Sequence, residues 1–221
     1  MARPVKSSTQ KTKTEQINRK EVISKKFEII SGITIAVFAA FLAIIGLGAG
    51  RYGGDEIIAH NEKAAAFQWY QSKAIKQTLT EAQRDLLKSL VDSGSIARDK
   101  TRPVQKYVKA LDDDILRYGK EKKEILLGSQ KVGKENWAQE QDGKLGQIVG
   151  ANEWEAKANQ LGDAGDFFDM STLFLQMSLV LGAISLVVQN MRLKLSFYAI
   201  LIILGVIGLV YGAKAYMVAM A

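Results

Sequence analysis

The sequence predicts an all-α membrane protein: three transmembrane helices, with a helical-hairpin, coiled-coil-like insert outside the membrane between the first and the second. Three observations carry that expectation. The apolar residues gather in three uncharged blocks, at 29–50, 170–191 and 195–213. The long polar segment between the first two blocks is rich in helix-forming residues at heptad spacing. The basic excess sits beside the blocks, where positive residues hold a loop in the cytoplasm.

The first block, Ile29 to Gly50, runs 22 residues without a charge and ends in Gly48-Ala49-Gly50-Arg51-Tyr52-Gly53. Those glycines fit the spacing of a dinucleotide-binding loop. That loop needs a short buried strand before it, of about 4–8 residues, whereas a span of the hydrocarbon layer needs about 20. The length therefore selects a membrane helix, ended by the glycines, and no nucleotide site. The apolar run is also longer than the roughly 7–15 residues of a signal peptide's core, so an uncleaved anchor is expected. Met170–Met191 and Leu195–Ala213 are the second and third spans.

Charge sets the expected topology. Residues 1–28 hold eight basic and three acidic residues, and residues 51–170 hold 19 and 20. Arg192 and Lys194 lie in the short turn between spans two and three. Basic flanks on one side place the N-terminus in the cytoplasm and 51–169 in the periplasm of a bacterial inner membrane, with 214–221 a short external C-terminus. The absence of cysteine suits an oxidising compartment. The net charge of +7 is thus a membrane-flank signal and no footprint of nucleic acid. Met1–Thr14 is polar and basic, and is expected to be a disordered tail suited to an anionic leaflet.

Within the insert, Asp55–Val91 has no Pro or Gly, and Ile75, Leu79, Ala82, Leu86 and Leu90 form one apolar stripe. A second helix is expected to start near Pro103, with Val104, Val108, Leu111, Ile115, Tyr118, Lys122 and Ile125 as a seam packed antiparallel on the first. Seven glycines between 128 and 165 predict one or two broken helices returning to the membrane.

The stretch from Asn61 to Gln77, NEKAAAFQWYQSKAIKQ, resembles the core motif of the bacterial integral-membrane proteins of domain-of-unknown-function family 4337. The order of one span, a charged helical insert and two C-terminal spans is similar too, as is Gly165-Asp166-Phe167-Phe168-Asp169 leading into the second span. The resemblance implies architecture and brings no activity.

The side chains argue against catalysis. The lone His60 shares a helix face with Glu56, too few ligands for a metal, and consecutive Asp112, Asp113 and Asp114 point apart around a helix. No nucleophile or phosphate-loop motif occurs, so no enzyme, cofactor or metal is expected. What remains is association. Gly46/Gly50, Ser178/Gly182 and Gly208/Gly212 place pairs of small residues on one face of each span, and Gln176 offers an interhelical hydrogen bond. Gln68, Trp69, Tyr70, Lys73 and Lys76 form a candidate partner-binding patch. The expected partners are the lipid bilayer and a second copy or another membrane protein, and the expected role is a scaffold or accessory subunit. The alternative is an oligomeric channel, transporter or membrane-stress sensor.

Overall fold

The computed structural model describes the backbone of residues 6–221 and the side chains of Val22 and of Lys25 onward. It is built from helices: α1 (Lys6–Asp92), α2 (Arg98–Leu127), α3 (Ser129–Val132), α4 (Ala151–Val187) and α5 (Met191–Met220). A two-stranded hairpin, β1 (Glu140–Gln141) and β2 (Lys144–Leu145), lies between α3 and α4. Residues 25–92, α4 and α5 each contain a stretch long and apolar enough to cross a membrane. The chain divides into two compact units, residues 1–53 with 161–221, and residues 54–160.

Two expectations about α1 change. It does not stop at the glycines around position 50, because glycine weakens a helix without blocking its hydrogen bonds. It also begins at Lys6, inside the tail expected to be disordered; extending an existing helix avoids the cost of nucleation. The rest of that tail, Met1–Val5, lies outside the described residues.

In the first unit three helices bury one stripe each, at alternating steps of three and four residues, the spacing of a left-handed coiled coil. On α1 the stripe is Ser31, Ile35, Phe38, Leu42, Ile45, Ala49 and Tyr52. On α4 it is Leu161, Ala164, Phe168, Ser171, Leu175, Ser178, Gly182 and Ser185. On α5 it is Lys194, Tyr198, Leu201, Gly205, Gly208, Gly212 and Ala215. Serine and glycine on α4 and α5 bring those backbones close. Ser171 Oγ donates to Gly208 O at 2.7 Å and Ser178 Oγ to Leu201 O at 2.9 Å. The outward faces stay apolar, with Ile33, Val37, Val180, Ile203 and Val210 exposed.

Aromatic residues gather at two levels of this unit. Phe27 meets Tyr198 edge-on at 5.1 Å. Tyr52, Phe168 and Tyr216 contact one another at 5.1–6.0 Å. Along α1 the two levels are about 37 Å apart and along α5 about 27 Å, at about 1.5 Å per residue. Both separations are close to the roughly 30 Å thickness of a hydrocarbon layer.

In the second unit α2 packs antiparallel on α1, using the expected seam: Val108, Leu111 and Ile125 are buried, and Val104, Ile115 and Tyr118 half-buried. It starts at Arg98, with Pro103 inside the helix rather than at its first position. The face of α1 that meets it is not the expected one. Tyr70, Lys73, Gln77, Arg84 and Leu87 turn toward α2, while Ile75, Leu79, Ala82, Leu86 and Leu90 are exposed. The contact is electrostatic: Arg84 reaches Asp112 at 3.4 Å and Lys88 lies 3.6 Å from it.

Residues 128–150 form no long broken helix. They fold as α3, a 3-10 turn at Lys134–Asn136 and the hairpin. Gly128, Gly133, Gly143 and Gly146 have positive φ, so they turn the chain where other residues resist. Asp142 (φ 53°) and Gly143 (φ 75°) make the two-residue turn. Both centres at positive φ mark the primed geometry that an Asp-Gly pair favours.

Candidate functional site

The small-residue faces separate into two kinds. Ser178, Gly182, Gly208 and Gly212 are buried inside the first unit. A Cβ on Gly208 would lie 2.8 Å from Leu175 Cγ, and one on Gly212 2.7 Å from Ile45 Cδ1, so these glycines serve contacts within the chain. Gly48 and Gly205, absent from the expected set, do the same against the rings of Tyr216 and Phe38. Gly46 and Gly50 differ. Both are exposed, and a Cβ there would meet nothing within 4 Å. Gln176 is also exposed, so the interhelical bond expected of it is not made within the chain.

The five residues of the expected patch do not share a surface. Successive helical residues fan out by about 100°, and here they part company. Tyr70 lies under Lys122 Nζ, 5.7 Å from its ring centroid. Lys73 Nζ sits 2.6 Å from Glu121 Oε2, its side chain 16% and that of Glu121 7% exposed. Trp69 lines a cavity, while Gln68 and Lys76 face outward. Arg117 also approaches Glu121, at 3.5 Å. Its guanidinium is held above its usual pKa, first by hydrogen bonding with Tyr118 and then by the charges of Asp114 and Glu121, with burial opposing. His60 and Glu56 share a helix face at 3.7 Å, as their spacing requires. Among the described residues no cluster of His, Cys, Asp or Glu is arranged to hold a metal.

One arrangement had no signal in the sequence reading. Glu124 is fully buried. Its Oε1 accepts from Ser129 Oγ at 2.7 Å, and its Oε2 accepts from Ala138 N at 2.8 Å and Gln139 N at 2.9 Å. Ser129 then clasps Ile148 from both sides: its N donates to Ile148 O and its Oγ accepts from Ile148 N, both at 2.9 Å. Trp137 Nε1 donates to Ser129 O at 2.8 Å. Gly150 completes the loop, since a Cβ there would strike the backbone at Leu127 and Gly128. Glu153 Oε2 accepts from Gly150 N at 3.0 Å, the returning half of a capping box at the start of α4. A single carboxylate thus fixes a 23-residue loop of little regular structure.

That loop roofs a cavity of about 340 Å³ against α1, lined by Glu62, Ala65, Ala66 and Trp69 of α1, by Glu140, Gln141, Gln147, Ile148 and Val149 of the loop, and by Trp154 of α4. Its volume lies in the lower part of the range of small-molecule sites, about 300–1,000 Å³. Further along α1 lies the exposed stripe, with Ile75 61%, Leu79 59% and Leu86 61% exposed in a largely polar segment.

No curated protein and no solved structure matches the chain. A family model does match residues 27–218, nearly the whole length and including both units, and its description is "Domain of unknown function (DUF4337)". The chain belongs to that family.

Proposed function

We propose that this protein is a non-enzymatic scaffold of the bacterial inner membrane that acts by pairing with a second copy of itself through α1. In this reading the three apolar helices span the bilayer, the N-terminus is cytoplasmic and residues 54–160 stand in the periplasm. The carrying observation is the exposed heptad stripe of Ile75, Leu79, Ala82 and Leu86, in a segment too polar to face lipid. Exposed apolar residues recurring at steps of four, three and four are the seam of a coiled coil without its partner.

Magnitudes favour a second copy confined to the same membrane. Burying the exposed part of three such side chains on each of two copies contributes about 5–11 kcal/mol. Association from free solution costs about 4–15 kcal/mol, and confinement in a bilayer removes part of that cost. Two copies inserted the same way round pair in parallel, stacking each stripe residue on its twin. The flanking positions then set Gln71 against Lys76, Thr78 against Gln83 and Asp85 against Leu90, with no like charges opposed. Outward Gly46 and Gly50 and the exposed amide of Gln176 support contacts between copies in the apolar unit as well. Light scattering on protein extracted in a maltoside detergent tests the reading. A dimer or larger oligomer that falls to a monomer in Leu79→Glu/Leu86→Glu is expected; a monomeric wild type overturns it.

A further inference from the structure

We infer that the cavity between α1, the 140–149 loop and the start of α4 binds a small organic ammonium. The inference is independent of self-association. Its lining contains two carboxylates, Glu62 and Glu140, two indoles, Trp69 and Trp154, and no basic side chain. The lining residues themselves carry a charge of −2, with Lys144 and Lys157 next to lining positions and outside the lining. The nearest lysine on α1, Lys63, is committed to Glu155 at 2.7 Å, whereas Glu62 and Glu140 have no ion-pair partner among the described residues. Trp154 already attracts a cation: Lys157 Nζ stands 5.4 Å from its ring centroid. Indole rings and carboxylates beside apolar side chains are the chemistry that recognises alkylammonium groups. Ile148, Val149, Ala65 and Ala66 supply those apolar side chains.

The site is also built. Ile148 is held by two hydrogen bonds with Ser129, one donated and one accepted, and through it by buried Glu124, so one wall is fixed before any ligand arrives. Trp137 spends its indole N–H on Ser129, which leaves Trp69 and Trp154 as the tryptophans lining the cavity. The ammonium has two possible sources, a free metabolite or the headgroup of an amine-bearing lipid, and the same contacts serve both.

The test is intrinsic tryptophan fluorescence of the full chain in a maltoside micelle at constant ionic strength. Choline is titrated against 3,3-dimethylbutan-1-ol, its uncharged isostere. A saturable change with choline in the millimolar range, at least tenfold weaker with the alcohol, is expected. Glu62→Gln/Glu140→Gln should raise the choline midpoint at least tenfold while circular dichroism keeps the wild-type helix content. A response of equal size to both probes, no saturation, or an unaltered midpoint in the double variant overturns the inference. Repeating the titration in phosphatidylethanolamine and phosphatidylglycerol nanodiscs distinguishes the sources: a weaker choline midpoint only in the former identifies the lipid headgroup as occupant, and equal midpoints identify a free ammonium.

Discussion

Replacing Glu124 by Ala leaves the backbone N–H groups of Ala138 and Gln139 without their acceptor, and the Ser129 hydroxyl without its own. Each buried donor so stranded costs about 1–3 kcal/mol. Ser129 can turn its hydroxyl, so the two amides dominate, and a loss of about 3 kcal/mol follows if each is taken at about 1.5 kcal/mol, in the lower half of that range because the Ala138 amide is only part-buried. Only the loop depends on this carboxylate, so the loss falls on local opening and leaves global unfolding aside. A loss of that size speeds exchange at Ser129, Ala138, Gln139 and Ile148 by about a hundredfold. Glu124→Gln keeps one oxygen for the two amides and should lose about 1 kcal/mol. Hydrogen exchange with mass spectrometry on the intact protein in detergent reads both variants, with α5 amides as the unaffected reference. Equal exchange in wild type and Glu124→Ala refutes the claim that one carboxylate organises the loop.

Four further outcomes follow from the packing. Lys73→Met takes the nearer cation from the buried carboxylate of Glu121, leaving Arg117 at 3.5 Å, and should destabilise the insert by about 1–3 kcal/mol; adding Glu121→Leu should recover most of it. A thermal melt of the two variants measures this, and a double variant no better than the single contradicts it. Gly48→Ala drives a methyl into the Tyr216 ring and should cost about 1–3 kcal/mol, whereas Gly50→Ala meets nothing and should be neutral or stabilising by up to about 1 kcal/mol. Melting temperatures that move the same way in both would contradict the assigned faces. Gly150→Ala should loosen the loop as Glu124→Ala does, read by the same exchange experiment, because its methyl meets backbone that no rotamer can clear.

The apolar blocks and the α2 seam were legible because length and period are properties of the sequence itself. Val108, Leu111 and Ile125 are buried where their spacing put them. The α1 stripe shows the limit of that reasoning. Its period is correct, but period does not say whether a face is covered by the same chain. The face that does meet α2 carries Lys73, Gln77 and Arg84, whose long side chains bury their stems while their charges pair, so it reads as solvent-facing. The hairpin at Asp142-Gly143 was missed, because its strands are only two residues long, too short to show alternation. Glu124 was hidden entirely. Nothing in a lysine- and glutamate-rich helix end distinguishes the one carboxylate that the chain returns to cover 14 and 15 residues later.

Placement of the candidate residues followed the same division. The small residues of α4 and α5 are spent within the chain, and those of Gly46 and Gly50 are left outward. A spacing rule treats all three pairs alike, because it reads one helix at a time. The cavity could not be read from either half of its wall, since Glu62 and Trp69 are far in sequence from Glu140 and Trp154.

The most direct test uses the absence of cysteine from the chain. A single cysteine is placed at Leu79 on the exposed stripe, or at exposed Lys106 on α2 as a control. Native membranes carrying either variant are treated with a short bis-maleimide. Pairing through α1 predicts a covalent dimer of Leu79→Cys and none of Lys106→Cys. A monomer in both, or equal dimer in both, contradicts a self-pairing scaffold.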